Sequence, residues 1–490
     1  MLAYLLRCVI KGALSPLVRS LHRRISRKQL IAGGAVLGIS GIVVGNIRHH
    51  PLRLDNTYRS AEEGFKTSSQ YPLPSGYSAL GPPPLFDIEI ESPWLGKDFR
   101  TQPYEYCALI KAYCWEGNVN NGFRVENNKV RDWYHAPWMH YSPNGREPIN
   151  GLTYERATPP FEFARTQDRF LQNWACGYYN SIGVLVFGQV WKDPSNPQWT
   201  TDQKFQEGTC VSKLLLTDAK DAEVSSLKES PAMKAVIAEE VDEISPYTAG
   251  KRNKFASDLR LTQVDFAVRD DRAKIGWVFG TFMYDSGSKN SDPWDRIISV
   301  GVMWGNGPEL TQAAYDSGQK PVESWINPRA DAIRKSLGGK RPTWGWNGRL
   351  DGLADNLISS CASCHSVSPN PNTVSMTQKP GPFCDPKKNQ WLPVDDAKTM
   401  TWFRNLPAGT PFTAGSASGD YSLQLMRGFK TYQAWANPPS TNVLKRQIDR
   451  YWHGKKYVVD QDMALRTGPV MNYEGCKSVD EDGDGNGYGR

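Results

Sequence analysis

Histidine and cysteine are scarce in this chain of 490 residues, seven of the one and nine of the other, so the side chains able to hold a soft metal or a haem iron can be weighed singly. No Walker A pattern and no H-E-x-x-H pair occurs, which argues against P-loop nucleotide hydrolysis and zinc proteolysis. Acidic residues are missing from the first 54 positions, where nine Lys/Arg stand alone. Beyond that leader 49 basic side chains face 51 acidic ones, so the net charge of +7 belongs to the leader, and nucleic acid is not the implied partner. Long apolar runs are also rare. The exception spans residues 30–47, preceded by Arg23, Arg24, Arg27 and Lys28.

A helix of about 18 apolar residues just crosses a bilayer core, and its basic flank stays inside. The expected arrangement is a basic region over 1–29, an anchor or signal segment over 30–47 and an exported body. Val43 and Gly45 are small enough for a signal-peptidase site, so cleavage is the rival outcome. The body would face the periplasm or, if the acid-free leader is a two-part mitochondrial presequence, the intermembrane space.

Cys361-Ala-Ser-Cys364-His365 is the strongest chemical signal in the sequence. C-x-x-C-H is the attachment pattern of haem c: two thiols add across the vinyl groups, and the adjacent imidazole becomes the proximal iron ligand. A zinc knuckle would need a second ligand pair nearby, yet the next Cys is Cys384 and the next His is His453. A thioredoxin-type pair would need a βαβ context, which the flanking residues do not supply. On these five residues the chain resembles c-type cytochromes, and its single motif sets it apart from multihaem forms. The implied cofactor is one covalently attached haem c.

The sixth iron ligand is sought among Met376, Met400 and Met426, with His135, His140 and His453 or an open iron as alternatives. Met400 ranks first, 35 residues beyond His365 and just before an aromatic pair. Met426 lies on a helical face with Leu423 and Phe429 and reads as core. Arg349 and Arg404 are expected at the haem propionates, because guanidinium matches carboxylate geometry in a two-pronged fashion.

Upstream, Ile182 to Trp191, Gly208 to Thr217, Leu259 to Val268, Ile275 to Tyr284 and Ile297 to Trp304 are β-branched or aromatic runs of strand length. Val264, Phe266 and Val268 alternate with Gln263, Asp265 and Ala267, the pattern of a half-buried strand, and RDDRAK reads as a hairpin turn after it. Helices are expected over Tyr104 to Trp115, Pro231 to Asp242, Val394 to Arg404 and Asp420 to Trp435. The predicted class is β-rich α+β: an antiparallel sheet or sandwich over 48–340, a mostly helical and loop c-type haem segment over 341–475 and an acidic tail over 476–490. Asp482, Asp484, Asn486 and Gly487 in that tail match only the opening of a calcium loop.

The segment FQEGTCVSKLLL, then RAKIGWVFGTFMYD and a late C-x-x-C-H, resembles the cytochromes c′-beta and their hydroxylamine-oxidising relatives with a lysine-crosslinked haem. That resemblance implies a sheet cradling the haem and a lysine near the porphyrin, for which Lys213 is the matching position. An ordinary strand lysine is the competing reading. Cys107, Cys114, Cys176, Cys210, Cys384 and Cys476 form an even set that an exporting compartment allows to pair as disulfides, or they remain buried thiols. Cys107 and Cys114, seven apart on a helix, would sit ~10 Å apart and cannot bond to each other.

The expected function is haem binding and single-electron transfer by a membrane-anchored monohaem cytochrome with a redox partner protein. The alternatives are a haem enzyme or sensor whose open iron takes nitric oxide, hydroxylamine or peroxide, and a haem-bearing subunit of a respiratory or surface assembly. An electron carrier needs only about 100 residues, so the large body leaves an oxidoreductase open.

Overall fold

The computed structural model of the chain describes residues 92–436, apart from 124, 140, 143–144, 147–151, 194–195, 239–253, 378–383, 386–389 and 392–395. The 30–47 run, His140, His453, Cys476 and the tail lie outside the described residues. Among the described residues no helix is long and apolar enough to cross a membrane.

The strands in chain order are β1 (Trp133–Tyr134), β2 (Tyr141–Ser142), β3 (Gly145–Arg146), β4 (Leu152–Tyr154), β5 (Asn173–Asn180), β6 (Cys210–Thr217), β7 (Ala232–Ala238), β8 (Lys254–Arg269), β9 (Trp277–Tyr284), β10 (Ile297–Met303), β11 (Ser324–Ile326), β12 (Cys384–Asp385) and β13 (Gln390–Trp391). The helices are α1 (Pro103–Trp115), α2 (Ser181–Val190), α3 (Gln312–Asp316), α4 (Pro328–Ser336), α5 (Cys361–Ser366), α6 (Asp396–Thr399) and α7 (Leu423–Ala436). Nine strands form one antiparallel sheet, with β1-β5-β6-β8-β9-β10-β11 side by side, β4 added to β5 and β7 to β8. The fold is α+β and β-rich, and of the two expected layouts it is the single sheet.

Period-two alternation assigns each strand residue to a face. Trp174, Cys176, Cys210, Leu214, Val264, Val278 and Phe282 face a core closed by α1. Ala175, Tyr179, Leu215, Ala267, Phe279 and Met283 face the other core, which Leu350, Ala354, Ala362 and Leu425 complete. Residues on both sides of the expected boundary at 340 therefore share one core. The reading of 263–267 as a half-buried strand is corrected accordingly: Gln263 and Ala267 are buried, because the polar face of β8 looks into the interior.

Two elements differ in kind from expectation. Ile182 to Trp191, expected as a strand, is helix α2, started by Asn180, whose side chain accepts from the Gly183 N–H. Its β-branched residues are weak helix formers, but the cap and burial around the helix outweigh that preference. Pro231 to Asp242, expected as a helix, yields β7, which pairs with Lys254–Arg260 of β8 beyond the end of β6. There the ladder hydrogen bonds outweigh the helical preference of Ala, Met and Lys. The helix expected over Val394 to Arg404 shortens to α6, whereas α1 and α7 form close to their expected limits. The RDDRAK segment joins the antiparallel neighbours β8 and β9, as expected.

Candidate functional site

The motif sits on α5, a short helix that its own sequence starts. Ser360 caps it, accepting from Ser363 N at 3.1 Å, while Ser363 Oγ accepts from Ser360 N at 2.8 Å. This reciprocal box fixes the first turn. Cys361 and Cys364, three apart, and His365, one further on, fall on neighbouring positions of one helical face. The segment before the motif is held from beneath by Asn306, which accepts from Ser360 Oγ at 2.9 Å through its side chain and from Arg349 Nε at 2.6 Å through its carbonyl.

All three motif residues line one cavity, open to solvent at its mouth. Its sheet wall carries Val211, Lys213 and Leu215 of β6, Asp265 and Ala267 of β8, and Phe279 of β9. The opposing wall carries Asp351, Asp355, Met376, Thr377 and the α7 residues Leu423 and Gln424.

His365 packs its ring 5.1 Å from that of Phe279, and its Nδ1 donates to the Tyr421 carbonyl over 2.9 Å. A carbonyl only accepts, so the proton resides on Nδ1, and Nε2 keeps the free lone pair. Burial lowers its pKa to about 4, against the raising effect of that hydrogen bond, so the ring is neutral at neutral pH. Tyr421 is itself anchored: its hydroxyl donates to Leu406 O at 2.7 Å, and the preceding Asp420 accepts from Phe205 N at 2.6 Å, Gly409 N at 2.9 Å and Trp277 Nε1 at 3.2 Å. Burial pushes both motif thiols up, and Asp351, 3.8 Å from Cys361 Sγ, adds to that shift.

A partly buried ionic cluster occupies one side of the cavity. Lys213 Nζ lies 3.1 Å from Asp265 Oδ2 and 4.0 Å from Asp355 Oδ1. Gln263 Nε2 bridges the same two carboxylates, at 2.7 Å and 2.8 Å. Burial works against a charged Lys213, but Asp265, Asp355 and Glu155 overcome it and raise the amine well above its ordinary value. Asp355 is held below the usual carboxylate range, since Lys213 and Gln263 outweigh its burial. Asp265 is raised to about 6 by burial and by Asp355, despite Lys213, and Asp351 is raised well above its usual value by burial and Asp355.

The other expected site residues lie elsewhere. Arg349 is buried and donates to four backbone carbonyls, those of Asn306, Trp346, Gly307 and Leu310, at 2.6–3.2 Å. Arg404 donates to the carbonyls of Thr401 and Phe412. Neither lines the cavity; the arginine that does is Arg156, paired with Glu162 at 2.5 Å. Met400 packs with Trp346, Ile358 and Phe403 away from the cavity, and Met426 is buried core. Met376 lies on the cavity wall. His135 bonds Gly177 O at 3.1 Å and is not part of the lining.

Sequence reasoning passed over Asp265, Asp351, Asp355 and Arg156. Asp265 was legible as a charge on an alternating strand, and Asp351 and Asp355 as two acids within fifteen residues of the motif. Among the described residues no three His, Cys, Asp or Glu side chains group as a metal cage. The donor set present, two thiols and one neutral imidazole on one helical turn, suits a cofactor that brings its own ring ligands. Comparison with models of known protein families, with curated proteins and with solved structures finds no match.

Proposed function

We propose that this chain is an exported c-type haem protein that transfers single electrons, with Cys361 and Cys364 as thioether anchors and His365 as proximal ligand. One observation carries the reading. His365 is a neutral imidazole beside both motif thiols, with Nδ1 committed to the Tyr421 carbonyl and only Nε2 left to coordinate, the arrangement that orients ligating histidines. A haem in this cavity supplies an iron that alternates between ferrous and ferric states. The chain's own residues do the remainder: Ser360 and Asn306 hold the motif helix, and Phe279 fixes the plane of the imidazole. The excess of carboxylate over amine in the Lys213, Asp265 and Asp355 cluster favours the more positive, ferric state. Met376, which lines the cavity, is the methionine that would help hold the haem iron in place of Met400. The segment over 30–47 serves as signal or anchor, and a redox protein on the outer side is the partner.

The ionic cluster itself supports a second reading, a haem enzyme or sensor with an open iron. Lys213 stands among the cavity residues and not on an outer sheet surface, and beside its charged amine Asp265, raised to about 6, can deliver or take protons from a small nitrogen or oxygen ligand.

The test is the full-length chain produced with a haem-c maturation system, with spectra recorded oxidised, reduced and reduced under carbon monoxide. Covalent haem that disappears in Cys361→Ala/Cys364→Ala supports the assignment, and a chain that never acquires haem refutes both readings. A reduced spectrum indifferent to carbon monoxide favours electron transfer; a shifted one favours the open iron.

A further inference from the structure

On the face of the sheet away from the cavity, two thiols meet. Cys114 lies in the last turn of α1 and Cys210 opens β6; both are buried, and their Sγ atoms are 3.8 Å apart. The segments that carry them are tied through one side chain. Asn180 donates to the Tyr113 hydroxyl at 3.3 Å and the Gly208 carbonyl at 2.9 Å, and accepts from Cys210 N at 3.0 Å. From the other side Arg131 donates to Tyr113 O at 2.7 Å, and Asn118 to Cys114 O at 3.0 Å. Cys107, two turns earlier on the same face of α1, is instead engaged with the Ser299 side chain.

We infer that Cys114 and Cys210 are joined as a disulfide in the exported protein, a covalent tie between α1 and the strand that carries Lys213 into the cavity. This goes beyond the haem reading and rests only on its export part. The oxidant is a disulfide of the outer compartment, such as an oxidised dithiol carrier protein. One thiolate attacks that disulfide and releases one of its sulfurs. The second thiolate then displaces the carrier, so the new S–S bond forms as the carrier leaves with two thiols, two electrons and two protons. Burial keeps Cys210 protonated in the folded chain, so the exchange belongs to folding, before α1 closes over the sheet. The closed core then shields the bond from reductants.

The full chain, exported and purified without reductant, is denatured, alkylated, digested and weighed. The expected product is a linked pair of peptides containing Cys114 and Cys210, lighter by a pair of hydrogens than the free peptides, with Cys107 fully alkylated. Alkylation of both Cys114 and Cys210 in protein recovered from the outer side overturns the inference. Protein found only on the inner side refutes the export reading instead. The purified chain is then oxidised with diamide: a Cys114–Cys210 link sustains the pairing, and no link or a different one overturns it. Cys210→Ser, which must leave Cys114 fully alkylated, checks the assignment without demanding that the tie be essential for folding.

Discussion

Replacing Arg349 with methionine separates two roles for a buried arginine close to the motif. As a propionate partner it would act on the haem; as built, its guanidinium closes the loop over residues 306–310 onto the segment leading to α5. It also stands 4.4 Å over the Phe403 ring. Four charge-assisted hydrogen bonds at about 1.5–3 kcal/mol each give a gross stabilisation of roughly 6–12 kcal/mol. Burial opposes this, lowering the arginine pKa from 12.5 to about 10, a cost of about 3 kcal/mol at 1.36 kcal/mol per unit. Some freed carbonyls turn to water in the variant, so the expected net loss is about 3–5 kcal/mol, as for other broken buried networks. In a body of this size, at about 2.1 cal/mol/K of unfolding entropy per residue, that is a fall of roughly 4–7 °C in unfolding midpoint. Circular dichroism melts of the holoprotein measure it, with the haem absorption spectrum and midpoint potential recorded on the same preparation. An unchanged melt together with a displaced potential would refute the carbonyl role and return Arg349 to the propionates.

Met376→Ala should alter the reduced spectrum of the holoprotein, whereas Met400→Ala should leave it intact and lower stability by about 1–2 kcal/mol, since this half-buried side chain loses packing on Trp346 and Phe403. Gly428→Ala drives a methyl against the Pro137 carbonyl, backbone that cannot yield cheaply, and should cost about 1–3 kcal/mol by chemical denaturation. Glu223 is raised by burial, yet Arg169 at 2.6 Å and Lys220 hold its carboxyl below the usual range. Because the folded pKa is depressed, this stabilisation is complete above the unfolded carboxylate pKa and is lost as pH falls through the folded value. Arg169→Met should therefore cost about 1–2 kcal/mol at pH 7 and progressively less in acid, a convergence that urea titrations at several pH values would detect. Serine at both Cys114 and Cys210 should lower stability by about 4–5 kcal/mol if a loop of roughly 100 residues is closed by the bond.

Four of the five expected strands were readable because their alternation survives in the fold: each apolar position of 210–216 and 264–268 does face a core. The same alternation misled where it was used to infer solvent, since the polar residues of β8 face a cavity whose far wall comes from residues 351–377 and 423–424. Nothing local in β8 distinguishes an inward-facing carboxylate from an outward one; only the distant segment that covers it does. Helix α2 was missed although its signal was present, an asparagine cap immediately before an apolar run of helical length. The C-x-x-C-H residues were found because their chemistry is written in consecutive positions. The surroundings of His365 were not, because its orienting partner lies 56 residues downstream.

That partner contributes main chain only. The oxygen that fixes the imidazole belongs to the Tyr421 peptide, in a left-handed backbone conformation with φ of 65°. Substitutions at 421 remove the phenol and its bond to Leu406 but not the accepting oxygen, and leave the orienting contact whole wherever the loop stays seated. What the contact depends on is the seating of the chain between Leu406 and Ser422, so drift in that loop, not identity at one position, is how this histidine would be retuned.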